Sequence, residues 1–306
     1  MMQAKGNRSV SQTGLLSLML LCTPFSIYAM EEESPWLFAS EIAISSNDNV
    51  GQAERNRDII DAPSVLANLD LVRVNELDLQ HVTILRGFVE TEQFSTVSDI
   101  SRITIGGQLI YRWQNTLGFT APFYLFNAGL QSDTYGAAQR DSVLLKSQLV
   151  ASKRFTDRIT MSTGLDFQQR DATSDVFDTQ KVRLFASIDY DLPDRWTYYG
   201  TFSLISGDVV STAQAAFCNG VAAGDIFDLV NYAKAIESDT AYNAALCGDW
   251  FSYRLEADVQ TINIGLNKGL TQDISLDISA LAVTVKAAGN NEYDSLLLRA
   301  GLLMRF

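Results

Sequence analysis

The sequence has one histidine in 306 residues, His81, and three cysteines. A single imidazole excludes a multi-histidine metal centre. No segment carries the spacing of a calcium loop, and no glycine-rich phosphate loop opens a helix after a strand. No metal ligand and no cofactor are therefore expected. Positive charge is scarce too: 23 Lys and Arg against 36 Asp and Glu leave a formal net charge of −13, which argues against a nucleic-acid partner. Beyond the N-terminus there is no run of the ~18 to 20 consecutive apolar residues that a membrane helix needs. Yet 47% of the residues are hydrophobic while the mean hydropathy is only +0.03. Apolar and polar residues are interleaved rather than blocked, which favours strands.

The apolar run Leu15 to Leu21 follows Lys5 and Arg8 and precedes SIYAM, with the small residue Ala29. That is the pattern of a secretory signal peptide, so residues 1–29 are expected to be removed and 30–306 to form the mature chain. Loss of Lys5 and Arg8 takes the formal charge to −15. Cys22 follows Leu21, which is too bulky for a lipoprotein cleavage site. Cys218 and Cys247 remain, and an even pair in an exported chain predicts a disulfide.

Alternation predicts about twelve strands, over 35–45, 64–74, 77–93, 100–114, 121–135, 142–155, 158–170, 180–192, 195–206, 250–268, 272–286 and 293–306. Tight connections, such as Asn75-Glu76, Gln114 to Gly118 and Pro193-Asp194, alternate with longer polar ones at 46–63, 94–99, 136–141, 171–179, 207–249 and 287–292. An up-and-down meander then carries its short turns at one end and its long loops at the other, as transmembrane β-barrels do. Trp113, Phe123, Tyr124, Phe155, Tyr190 and Trp196 gather near the tight turns, where an interfacial aromatic girdle would sit.

The chain closes with YDSLLLRAGLLMRF, in which Leu296, Leu298, Ala300, Leu302, Met304 and Phe306 share one face. This segment resembles the C-terminal strand of bacterial outer-membrane β-barrel proteins, whose apolar alternation and terminal aromatic residue form their assembly signal; Leu302, Met304 and Phe306 are the matching residues. The resemblance implies an all-β fold: an antiparallel up-and-down transmembrane barrel in the bacterial outer membrane, with short periplasmic turns and long extracellular loops. It also implies outer-membrane lipid and the barrel assembly machinery as partners.

In such a barrel the charged strand positions must face inward, because Arg or Lys on the lipid side near mid-bilayer costs ~2 to 4 kcal/mol. Arg102, Arg112, Lys146, Asp166, Arg170, Arg183, Asp189, Arg254, Glu256, Asp258 and Arg299 are accordingly expected to line the lumen. This set is richer in bases than acids, so a mild anion preference follows. In the long loop 207–249, Ile226, Phe227, Val230, Ala233 and Ile236 fall at helical spacing behind a possible N-cap, Asp225. A Cys218–Cys247 bridge would tie that loop, which also carries Asp208, Asp225, Asp228, Glu237, Asp239 and Asp249 against one Lys234. His81, near a tight turn and without an adjacent Ser and Asn pattern, gives no catalytic residue, and no enzymatic activity is expected. The expected function is a passive, porin-like channel for small hydrophilic solutes. The alternatives are a closed structural or surface-recognition barrel and, behind it, a lipid-modifying enzyme.

Overall fold

A computed structural model describes residues 36–216 and 231–306. Its strands are β1 (Leu37–Asn47), β2 (Ala62–Glu76), β3 (His81–Phe94), β4 (Arg102–Trp113), β5 (Phe123–Tyr135), β6 (Ser142–Arg154), β7 (Ile159–Ala172), β8 (Thr179–Leu192) and β9 (Trp196–Ala216). They continue with a short β10 (Ala235–Ser238), β11 (Asp249–Gly269), β12 (Ile274–Ala287) and β13 (Asn291–Arg305). Consecutive strands pair antiparallel except β9 and β10; β9 pairs with β11, and β13 pairs with β1. Twelve strands therefore close a ring, with β10 as an appendage on β11. Closure leaves no unpaired sheet edge, which a bilayer could not satisfy.

Period-two alternation decides the faces. On β2, Val65 and Leu69 are exposed while Ser64, Asn68 and Asp70 are buried; on β4, Ile103, Ile105 and Leu109 are exposed while Arg102, Thr104 and Gln108 are buried. The outward side of the wall is thus apolar and the inward side polar, the inverse of a soluble sheet. The outer wall carries a shallow apolar hollow where Gly200, Ala280 and Ala300 replace larger side chains. Near the short-turn end, His81, Tyr111, Trp113 and Tyr124 stack with ring centroids 6.0, 5.9 and 5.1 Å apart, forming part of an aromatic belt. Phe123 departs from the expected girdle: it faces inward, with the Arg112 guanidinium 4.9 Å from its ring centre.

Two loop expectations change. The turn between β4 and β5 covers 114–122, longer than Gln114 to Gly118, and the connection after β12 is a tight turn at 288–290 rather than a long loop. Asn290 there adopts a positive φ of 61°. The Asn75-Glu76 turn lies at 77–80 instead, where Asp78 Oδ1 accepts from the backbone N–H groups of Gln80 and His81.

The largest difference is in β9, which runs 21 residues where alternation predicts 195–206; β11, also 21 residues, follows the predicted 250–268 to one residue at each end. The ring neighbours stop at Lys181↔Gly207 and Ala257↔Ala287, while the β9–β11 ladder continues to Asp249↔Ala216. Gly207 sits at the point of departure with φ 144°, and a Cβ there would strike the Gln180 carbonyl, so a side chain would block the bend. Beyond it Val209, Val210, Ser211, Thr212 and Ala213 are all buried. The hairpin tip is therefore covered on both faces, folded over the long-loop mouth of the barrel. The helix expected over 225–236 falls largely outside the described residues; Ile236 belongs to β10.

Candidate functional site

The chemistry-bearing residues converge inside the barrel and beneath the folded hairpin. Inside, the charges lie in pairs along the wall. Arg299 of β13 bonds Glu41 of β1, and Arg86 of β3 lies 2.6 Å from Asp70 of β2. Arg102 reaches Glu90 at 2.7 Å and Glu92 at 3.1 Å; Arg170 reaches Asp133 at 2.9 Å and the Ser142 hydroxyl at 2.6 Å. Arg183 pairs with Asp166, and Lys146 donates to Gln131 at 2.8 Å. From β9 the Tyr199 hydroxyl donates to Asp277 of β12 at 2.9 Å.

Most of these pairs join neighbouring strands, whose inward residues are natural cross-strand partners, while Arg170–Asp133 reaches over β6 and Tyr199–Asp277 over β11. Three inward rings lie flat over inward glycines: a Cβ on Gly106 would meet Phe88, on Gly164 Phe185, and on Gly265 Tyr199. Arg86 and Arg183 lie over two of these rings, at 4.7 and 4.8 Å. Towards the short-turn end Ile84, Ile110, Leu125, Val150 and Phe185 form an apolar inward patch.

Of the residues expected in the lumen, Arg102, Asp166, Arg183 and Arg299 are buried on the inward face, and Arg112, Lys146, Arg170 and Asp189 share it with partial exposure. Three lie elsewhere. Glu256 and Asp258 are exposed on the outward face of β11, at the level where the wall ends. Glu256 lies 3.1 Å from Lys234, which also pairs with Asp208 at 2.8 Å. Arg254, on the same face, donates to the Asp178 carbonyl at 2.7 Å. Their register places them beyond the apolar band, where no lipid forces a charge inward.

Sequence reading missed the acids, Glu41, Asp70, Glu90, Glu92, Asp133 and Asp277. The signal was present, since Glu41 and Asp70 each sit one residue from an outward Ile or Leu. Their presence balances the bases, so the basis for an anion preference disappears.

Over the mouth, the cover is built from loop 48–61, the hairpin tip, β10 and a short helix α1 (Thr240–Ala245). Val50, Ala62, Val97, Ile100, Ala137, Ala241, Tyr242 and Trp250 form its apolar core, and the Tyr242 and Trp250 ring centroids are 5.5 Å apart. Asp239 caps α1 through Oδ1, which accepts from the Ala241 amide at 3.0 Å. Its Oδ2 accepts from Arg140, in the β5–β6 loop, and from the Ser252 hydroxyl at 2.5 Å. Arg140 also lies 3.8 Å over the Phe177 ring of the β7–β8 loop. Burial pulls the Arg140 guanidinium below its ordinary value, and Asp239 opposes that pull. Glu237 of β10 accepts from Gln139 at 2.6 Å and from Ser174, and Gly51 O accepts from the Thr212 amide and hydroxyl, both at 2.9 Å. Four loops are thus locked to one another.

Cys247 accepts through its carbonyl from Gln214 at 2.7 Å and from the Trp250 indole at 3.1 Å. Cys218 and the leader 1–29 lie outside the described residues. His81 has Nδ1 2.8 Å from both Asp78 oxygens at the exposed short-turn rim, and that hydrogen bond holds the Asp78 carboxyl below its ordinary range. At the other terminus Phe306 N donates to Phe38 O at 2.9 Å, so the last residue completes the seam between β13 and β1. Among the described residues no group of three or more potential metal ligands occurs.

No family profile and no curated protein sequence matches the chain. Solved structures do. The COG4313 outer membrane channel from Pseudomonas putida F1 aligns over 93% of this chain and 99% of its own, at 11% identity and a TM-score of 0.59. The KdgM porin in complex with oligogalacturonate aligns over 88% and 99% at 9% identity, with a TM-score of 0.41. LpxR from Salmonella typhimurium aligns over 86% and 99% at 9% identity, with a TM-score of 0.39. At these identities the likeness is one of fold, and it rests on the first of the three: this chain is a closed twelve-strand antiparallel barrel of the outer-membrane type.

Proposed function

We propose that the chain is a passive outer-membrane channel for small hydrophilic solutes, closed in this conformation by its own cover. In this reading the short turns face the periplasm and the cover faces the outside. The leader 1–29 is removed on export, a Cys218–Cys247 bridge staples the base of loop 217–248, and Leu302, Met304 and Phe306 guide assembly. The observation that carries it is the placement of the inward charges. They are paired with one another along the inward wall, with rings seated on glycines, so the interior is polar and charged where a soluble barrel would hold an apolar core. The cover packs its apolar core against the loops at the rim and supplies none of the ring's closing ladders, so it can leave without breaking the ring.

A second reading, a closed barrel that recognises a partner through the cover, is favoured by the completeness of that unit's own core. Replacing 217–248 with a two-residue Asn-Gly turn between Ala216 and Asp249 keeps the hairpin register and removes most of the cover. In planar bilayers this variant should conduct where the intact chain conducts little. Two silent proteins would favour the closed barrel. Catalysis forms no part of the proposal; His81→Ala should leave the lipid profile of the host membrane unchanged.

A further inference from the structure

The inward charges are balanced in total but not in place. On β12, β13, β1, β2 and β3 the carboxylates Asp277, Glu41, Asp70, Glu90 and Glu92 share their strands with two buried bases, Arg299 and Arg86, and Glu90 and Glu92 also bond Arg102 of β4. On β4 to β8 the bases Arg102, Arg112, Lys146, Arg154, Arg170 and Arg183 face four acids, Asp133, Asp166, Asp189 and Asp191. The ring order puts β1 at the centre of the first arc and β6 at the centre of the second, nearly across the bore from one another. Between the arcs, β9 and β11 contribute inward Tyr199, Thr201, Ser203, Thr261 and Asn263, which carry no formal charge. One wall therefore carries a negative surplus and the opposite wall a positive one; the neutral β9 and β11 separate them on one side, and on the other they meet at the β3–β4 ladder.

Pairing does not cancel this. An ion pair neutralises locally, but a surplus of carboxylates on one side and of cations on the other leaves a field across the bore, and low-dielectric walls concentrate it. Polar atoms are also in reserve: Asn68 Oδ1, Asn263 Oδ1 and Ser203 Oγ are buried and find no hydrogen-bond partner among the described residues. Buried polar atoms without partners are rare and need an occupant such as water or a solute.

We infer that the bore selects solutes carrying both signs of charge, small zwitterions with an ammonium and a carboxylate, over neutral or singly charged solutes of the same size. The inference rests on the channel reading. A zwitterion aligned with the field turns its ammonium towards Glu41 and Asp70 and its carboxylate towards Arg170 and Lys146. A lone anion or cation gains on one wall and is repelled by the other, and a neutral amide gains little from either.

The test uses the full chain and, beside it, the variant with 217–248 replaced, each in proteoliposomes with four radiolabelled probes of similar size: β-alanine, lactamide, propionate and propylammonium. β-Alanine should permeate severalfold faster than each of the others. In the double variant Lys146→Gln/Asp277→Asn, which takes one charge from each wall, that ratio should fall towards one. Heat-modifiable mobility on gels confirms that the variant barrel is folded, and the single variants serve if it is not. Permeation of all four probes at equal rates would overturn the selectivity while leaving the channel intact. If none permeates through the intact chain or through the variant with 217–248 replaced, the channel reading itself fails.

Discussion

Arg140 and Asp239, 99 positions apart in the chain, form a buried ion pair that fastens the β5–β6 loop to the cover over the barrel mouth. Side-chain exposure is 3% for Arg140 and 0% for Asp239, so neither charge has solvent to fall back on. Removing one partner of such a pair strands the other and costs about 3 to 5 kcal/mol. Arg140→Gln should therefore release the cover: brief trypsin treatment should cleave within 231–248, and bilayer conductance should rise. Cleavage and conductance both at wild-type levels would mean that the pair does not hold the cover.

Trp250 anchors the apolar core of the cover against Tyr242. Trp250→Ala removes a large buried ring, a change of about 3 to 5 kcal/mol in a well-packed site. The loss should be local. Protease sensitivity should appear in loops 48–61 and 231–248 while the temperature at which the barrel loses its compact gel mobility stays put. A fall in that temperature would show that cover and ring unfold as one unit.

Gly207 is where β9 leaves the wall, and its backbone is open only to glycine. Gly207→Val would strain the bend by about 1 to 3 kcal/mol and collide with the Gln180 carbonyl. The expected outcome is a folded barrel with a displaced hairpin, seen as lost protection of the Val209 to Ala213 amides in hydrogen exchange.

Asp58, in loop 48–61, is buried with Arg57 Nε 3.5 Å away. Burial raises its carboxyl above the ordinary range, against weaker opposing pulls from the Gln214 backbone and Arg57. A raised carboxyl binds its proton more tightly in the folded loop than in the released one. Protonation therefore stabilises the fold, in full below the ordinary carboxylate value and less as pH climbs through the raised one. Hydrogen exchange in 48–61 should quicken from pH 4 to 7 more in the wild type than in Asp58→Asn, after correction for intrinsic rates. Equal pH profiles for the two proteins would contradict this.

Leu69 is exposed on the outward face at 66%, within the apolar band, whereas Glu256 is outward but above it. Leu69→Arg should cost ~2 to 4 kcal/mol and lower folding yield in lipid vesicles. Glu256→Lys should fold as well as the wild type. A comparable penalty at both sites would place β11 deeper in the membrane than its register indicates.

Most of the barrel was legible in the sequence because a strand crossing lipid has no choice of face: Ile103, Ile105 and Leu109 must point outward, so Arg102 and Arg112 point in. The same rule fails where lipid ends. Arg254, Glu256 and Asp258 alternate as a wall strand does, but the rule that sends charge inward does not apply above the rim, and no local signal marks the height at which it stops. The extension of β9 was hidden for a related reason. Val209 to Ala213 are buried on both faces, so the period-two pattern that reveals a wall strand is absent. The cover's latch is a contact between Arg140 and Asp239 that no spacing in the chain encodes.

The seating of Phe88, Phe185 and Tyr199 over Gly106, Gly164 and Gly265 means that the room left inside the barrel is set by what is missing. Each ring is parked in a notch, and filling any notch with so much as a methyl group would tip its ring towards the axis. The interior can thus be narrowed by a single substitution at a glycine, one ring at a time, without adding a large residue anywhere.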